Sequence, residues 1–351
     1  MEKRTSRIYG IIYFFVYNLK SKPIHIIYFN YNMNTFLSLL IFLLVLFVYI
    51  HITHQLKTSE DLEIYELDYT TNKDLQEICD VKQPVLFEFN SIFPEFFENI
   101  TFDTLSNYET YDVKVKDIND YWKSDESVDY LVLPYQSAQS LITSDPKSSF
   151  FIENNDEFIE ETGLNKHFYE LDYYFKPYMN AQTKFDILTG SKNCITPLRY
   201  HTNYRQLFLV NSGKITVKMT PWKSRKYVHP IKDYDNYEFR SPVNCWNPQK
   251  QFLNDMDKTK FLEFDVNAGY VLYVPPYWWY SIKFSTEQTL VSGITHNSVM
   301  NIVSNIPNLC LYYLQQHNIN KKVAKVLNID TPNHVKEETE QIADVGTSAE
   351  L

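Results

Sequence analysis

Gly269-Tyr-Val-Leu-Tyr-Val-Pro-Pro-Tyr-Trp-Trp-Tyr-Ser-Ile-Lys-Phe284 is the stretch on which the fold turns. Two runs of β-branched and aromatic residues, 269–274 and 278–284, lie on either side of Pro275-Pro276, which interrupts any ladder. The same arrangement stands upstream. Gln206-Leu-Phe-Leu-Val210 and Lys214-Ile-Thr-Val-Lys-Met219 flank Asn211-Ser212-Gly213, and this reads as a hairpin whose glycine takes the left-handed turn position. Ile215, Val217 and Met219 alternate with Lys214, Thr216 and Lys218, so one face of that strand is apolar. Thr289-Leu-Val-Ser-Gly-Ile-Thr295 adds a further strand. Many short strands with turn signals between them predict a sandwich or barrel.

Outward from this block, residues 166–301 read as a β-rich core. Residues 58–165 mix helix and strand: Asn72 to Cys79 is helical, and Pro84-Val-Leu-Phe-Glu-Phe89 is a short apolar strand. Residues 302–330 return to helical spacing, with Ile306, Leu309, Leu311 and Leu314 among the apolar positions. Residues 331–351 form an acidic tail expected to be disordered, since Glu337 to Leu351 carry acids and no base.

The N-terminal part carries a different signal. Thr35 to Thr53 reads TFLSLLIFLLVLFVYIHIT, without an acid, Lys or Arg. About 20 apolar residues cross a bilayer core of about 30 Å, so 35–53 is expected to be a single transmembrane helix behind a cytosolic segment 1–34. A cleaved signal peptide is the competing reading. The apolar run is long for one, and no Ala-x-Ala-like site follows, although Met33 as an alternative start would make the segment more signal-like. The stretch Ile8 to Leu19 is too short to span. Lys3, Arg4, Arg7, Lys20 and Lys22 precede the span and Glu60, Asp61 and Glu63 follow it, which places the C-terminal domain on the lumenal or extracellular side. Asn99-Ile100-Thr101 is a glycosylation sequon consistent with that side. Cys79, Cys194, Cys245 and Cys310 are widely spread with no C-x-x-C pair, so a zinc ribbon is not expected.

A net charge of −10 argues against nucleic acid as the expected partner, because phosphate binding needs a basic face. Abundant Tyr (28) and Phe (24) beside scarce Gly (7) are the composition of an AT-rich coding sequence.

Thr196-Pro197-Leu198, Gly213-Lys214, Met219-Thr220-Pro221, then Gly269-Tyr-Val-Leu-Tyr-Val-Pro275 and Trp278-Trp279 occur in this order. Their order and spacing resemble those of cupin-like JmjC-type domains of the Fe(II), 2-oxoglutarate oxygenase superfamily. The resemblance covers roughly residues 64 to 305. It implies an all-β core with flanking helices, arranged as a double-stranded β-helix (a jelly roll) behind the transmembrane helix. It also implies a metal held by two His and a carboxylate. Carried over position by position, that triad falls on Arg199, His201 and Tyr280. A guanidinium offers no lone pair to a metal, and no H-x-D or H-x-E occurs anywhere in the chain.

Lys214 and Thr196 stand where the resemblance implies contacts to the 2-oxoglutarate co-substrate, and Arg199 with Lys214 could instead bind a small anion. Glu263 or Asp265 could neutralise these cations. The expectation is therefore a membrane-anchored pseudoenzyme without cofactor, binding a protein partner or a small anionic ligand. The alternative is a hydroxylase using Fe(II) and 2-oxoglutarate at an atypical site. The resemblance further implies a homodimer through the C-terminal helices. Arg199, His201, Lys214 and Tyr280 are expected to converge on one cavity.

Overall fold

The computed structural model describes residues 31–122 and 127–318, which fall into two compact units, Met1–Thr53 and His54–Leu351. The expected cytosolic segment (but for its last residues, 31–34) and the acidic tail lie outside the described residues. The helices are α1 (Tyr31–Leu56), α2 (Asn72–Cys79), α3 (Pro94–Asn99), α4 (Phe102–Leu105), α5 (Tyr135–Thr143), α6 (Asp156–Glu161), α7 (Asn165–Phe175), α8 (Leu253–Met256) and α9 (Val299–Asn318). The strands are β1 (Tyr65–Glu66), β2 (Val85–Glu88), β3 (Asp112–Asp117), β4 (Leu131–Pro134), β5 (Phe150–Ile152), β6 (Asn180–Gly190), β7 (Arg199–Tyr200), β8 (Arg205–Ser212), β9 (Lys214–Thr220), β10 (Ile231–Asp233), β11 (Glu238–Arg240), β12 (Leu262–Asn267), β13 (Tyr270–Val274), β14 (Trp279–Phe284) and β15 (Leu290–Ser298).

In the first unit α1 exposes Phe36, Phe42, Leu44 and Phe47, and no buried face balances them. Its 26 residues make a rod of about 39 Å at about 1.5 Å per residue. The apolar part, Asn34–Leu56, is long and apolar enough to cross a bilayer.

The second unit is built on two sheets with flanking helices. One has the order β1-β2-β13-β8-β15-β6-β5-β3-β4, the other β10-β11-β7-β14-β9-β12. Strand alternation sorts the apolar side chains into layers. Phe208 and Val210 of β8, Leu272 and Val274 of β13, and Val291 of β15 meet Ile215, Val217 and Met219 of β9 and Ile282 and Phe284 of β14 in a core between the sheets. The alternate residues Leu207, Leu209, Val271, Tyr273 and Ile294 point the other way, onto Leu75, Phe96, Phe158, Phe168 and Phe175 of the helices. Behind the smaller sheet, Trp279 and Tyr200 pack with Leu198, Val228, Phe239 and Met256. Burying one such side chain contributes roughly 1.5–3 kcal/mol, so the layers outweigh any single surface contact.

The strands are where the alternation predicts them, but two pairings differ. β8 and β9 do not form a hairpin: β8 pairs with β13 and β15, and β9 with β12 and β14. β13 and β14 are likewise in different sheets. Gly213, at φ 73°, therefore turns a corner between sheets. The physical reason is that each of these strands has an apolar face directed at the same interior. Two-faced burial is met by facing strands as well as by paired ones, and the turn alone does not distinguish them.

Within the expected helical segment 302–330, α9 covers the described part, and residues 319–330 lie outside the described residues. Asn301 and Asn305 hold α9 to the loop after β7, their Nδ2 atoms donating to the Thr202 carbonyl at 2.9 and 3.0 Å. The four cysteines carry free thiols, Cys79, Cys194 and Cys245 buried and Cys310 exposed.

Candidate functional site

Strand β7 is two residues long and lies between β11 and β14. Its register places Arg199 opposite Tyr280 on one side and Arg240 on the other. A buried guanidinium needs a carboxylate, and Glu153, directly after β5, supplies it. Arg199 Nη1 donates to Glu153 Oε1 at 2.7 Å and Nη2 to Oε2 at 2.5 Å. The Glu153 side chain is 1% exposed. Lys116 Nζ donates to the same Oε1 at 2.8 Å. Glu238 of β11 takes a second, longer contact from Arg199 Nη1 at 3.4 Å, and the Tyr121 hydroxyl donates to its Oε2 at 3.3 Å. The Arg240 guanidinium lies 5.2 Å from the Tyr121 ring centre.

The electrostatics follow from this packing. Burial alone would raise the Glu153 pKa, but Arg199 and Lys116 overcome it and bring it down to about 2. Reciprocally, Glu153 holds Lys116 and Arg199 above their ordinary values against the burial that would lower them. Burial pushes the Tyr280 phenol up. His201 moves down to about 4, chiefly because burial disfavours the imidazolium. The group is a buried ion-pair network of two cations and two carboxylates joining β3, β5, β7 and β11.

Three of the four residues expected to converge do lie together. The Arg199 guanidinium is 5.5 Å from the Tyr280 ring centre, and the His201 and Tyr280 rings are 6.2 Å apart. Lys214 is not with them. It occupies a polar position of β9, where alternation sends Ile215 inward and Lys214 outward, and it pairs with Asp265 at 2.9 Å with its side chain 36% exposed. Thr196 is tied to the backbone of β14: its N–H donates to the Ile282 carbonyl at 2.7 Å and its Oγ1 accepts from the Ile282 N–H at 2.9 Å. Asn99 is exposed at the last residue of α3, with Thr101 capping α4.

The residues at the three ligand positions do not fit an iron. Arg199 is occupied by Glu153. The Tyr280 hydroxyl accepts from Gln206 Nε2 at 3.2 Å and is held protonated by burial. His201 Nε2 lies 3.0 Å from the Val274 carbonyl; a carbonyl only accepts, so this nitrogen carries the proton. One neutral imidazole nitrogen then remains as a donor, with no carboxylate facing it. Among the described residues, no group of three His, Cys, Asp or Glu is placed to hold a metal ion.

The carboxylates of the network were not legible in the sequence. Lys116 looks like the polar phase of Val113-Lys-Val-Lys116 yet is buried, and Glu153 ends a strand with no motif around it. Charge balance was the one available signal, because an inward Arg199 demands an acid. Of the two acids expected to neutralise Arg199 and Lys214, Asp265 does pair with Lys214, while Glu263 pairs with Lys218 and neither meets Arg199. Comparison with models of known families and with curated proteins finds no match to this chain.

Proposed function

We propose that the second unit is a cupin-like, JmjC-type double-stranded β-helix that has exchanged its metal centre for an ion-pair network and serves as a non-catalytic binding module. The strand order supports the fold. The run β6-β15-β8-β13 in one sheet faces β7-β14-β9-β12 in the other, and the chain crosses between sheets at almost every step. The observation that carries the function is the bidentate Arg199–Glu153 pair at the first ligand position. The acids matched to Arg199 and Lys214 turn the reading from a small anion toward a protein partner. The exposed Leu311, Tyr313 and Leu314 of α9 support self-association as one form of it. With α1 spanning a membrane, the basic N-terminal flank supports a lumenal or extracellular module.

The test is metal content and turnover on the purified full-length chain in detergent. After incubation with Fe(II) and desalting, the expected result is far less than one iron per chain and no decarboxylation of 2-oxoglutarate. Stoichiometric iron, with decarboxylation abolished by His201→Ala, would overturn this reading in favour of an oxygenase with an atypical site.

A further inference from the structure

We propose that the surface formed by Trp222–Tyr227, Lys258 and Lys260 is a lipid-docking face that binds the anionic headgroups of the bilayer holding α1; the proposal rests on the membrane-spanning reading of α1.

Chain connectivity limits how far this surface can lie from the end of the span. Lys223 Nζ donates to the Glu60 carbonyl at 2.7 Å. Glu60 follows Leu56, the last residue of α1, by four residues, and at about 3.5 Å per residue these cover at most about 14 Å. The rod of α1 exceeds a bilayer core of about 30 Å, so its end already stands among headgroups.

The chemistry of the surface suits that position. Lys223, Arg225 and Lys226 are exposed on one turn of 3₁₀ helix, with Lys258 and Lys260 exposed nearby. Arg225 lies 5.1 Å from the Trp222 ring centre, and Lys226 and Lys258 flank Tyr227 at 4.8 and 5.7 Å. Lys57, at the exit of the span, adds a further exposed cation. The acids alongside are Glu60, Asp61, Asp255 and Asp257. Asp255 is engaged by His229 and Lys258. Among the described residues no carboxylate pairs with Arg225 or Lys226, so both cations are available to a phosphate. This cluster of base stands on the second unit of a chain of net charge −10. Long cations beside half-buried aromatic rings suit a headgroup layer, the stems lying at the boundary and the charges on phosphate.

The probe is hydrogen exchange of the full chain in nanodiscs of phosphatidylcholine alone or with added phosphatidylglycerol. The amides of 222–227 should exchange about fivefold more slowly, or better, in the anionic discs, and high salt should remove the difference. Arg225→Glu with Lys226→Glu should abolish it while exchange in β8 stays unchanged, which shows that the variant is folded. Equal exchange in the two lipids, or slowing that persists in the double variant, overturns the proposal while leaving the anchor in place. A chain that does not co-elute with lipid at all overturns the anchor and, with it, the docking face.

Discussion

Arg199 and Glu153 face each other through two parallel N–H···O contacts of 2.7 and 2.5 Å, with the carboxylate 1% exposed and a second cation, Lys116, 2.8 Å away. Two buried cations sharing one buried carboxylate make the acid the critical member. Remove Glu153 and only Glu238, at 3.4 Å from Arg199, remains for the two cations. Glu153→Gln is therefore expected to destabilise the domain by about 3–5 kcal/mol, the usual consequence of stranding a buried charge. Arg199→Met together with Glu153→Gln and Lys116→Met should recover much of this, because neither buried cation is then left without its carboxylate. Chemical denaturation of the purified chain, followed by tryptophan fluorescence, checks both. A Glu153→Gln loss below about 1 kcal/mol would show the network to be solvated.

The pH dependence of stability has two opposing contributions in the same window. His201, pulled down to about 4 from 6.5, binds fewer protons when folded than when unfolded, so its contribution is lost as pH falls from about 6.5 to 4. Asp186, pushed up to about 6 from 3.8 chiefly by burial, binds more protons when folded, so its contribution is gained as pH falls from about 6 to 4. The two nearly cancel. Asp186→Asn should unmask the histidine and give a domain that weakens steadily on acidification through that window. His201→Gln should give the opposite slope. Denaturation midpoints at a series of pH values measure both slopes. Parallel curves for the two variants and the parent would refute the assignment. Glu153 adds a separate loss at lower pH, between about 4.5 and 2.

The strands of the core were legible because burial on one side of a strand writes itself into alternate residues, as at Ile215, Val217 and Met219. Partnership was not, because β8 and β9 bury the same phase whether they pair or face one another. The site was legible in part for the same reason. Arg199, His201 and Tyr280 sit at positions that the resemblance marks, and cross-strand register brings Arg199 against Tyr280. Glu153 and Lys116 come from strands 46 and 37 residues apart from their partners, and no local pattern records such a meeting. Lys214 was misplaced because its position in the resemblance outweighed its own alternation, which points it outward.

Gly190 is required by close approach. A Cβ there would lie 2.4 Å from Phe284 Cδ2 and 3.2 Å from Phe151 Cβ, both in the core between the sheets. Gly190→Ala is expected to cost about 1–3 kcal/mol, as overpacking does. Phe284→Leu should be additive with substitutions elsewhere but should relieve Gly190→Ala, giving a coupling of more than about 0.5 kcal/mol in a double-mutant cycle. Strict additivity of the two would mean that β6 and β14 are not in contact at this point.

Lys214 offers the complementary case, a residue marked by resemblance whose surroundings are ordinary. Its pair with Asp265 is half exposed, the two side chains being 36% and 49% accessible. Lys214→Ala is expected to change stability by less than about 1 kcal/mol and to leave any partner binding that depends on the domain intact. A large loss of stability in denaturation would place Lys214 in the interior and reinstate it beside Arg199.

The side of the membrane on which the domain stands can be read from Asn99. The residue is exposed at the end of α3, and the sequon threonine, Thr101, caps α4, accepting from the Thr104 N–H at 3.2 Å. The acceptor amide is therefore open while the +2 hydroxyl is engaged locally, a geometry compatible with modification before the domain folds. If α1 places the domain in the lumen, the full-length chain expressed with microsomes should carry an endoglycosidase-sensitive glycan that Asn99→Gln removes. Its C-terminal tag should also resist protease until detergent is added. Protease digestion without detergent would reverse the orientation. Complete extraction by alkaline carbonate would remove the anchor. A protected tag with no glycan would keep the topology and leave Asn99 unmodified, with Thr101 held in its cap.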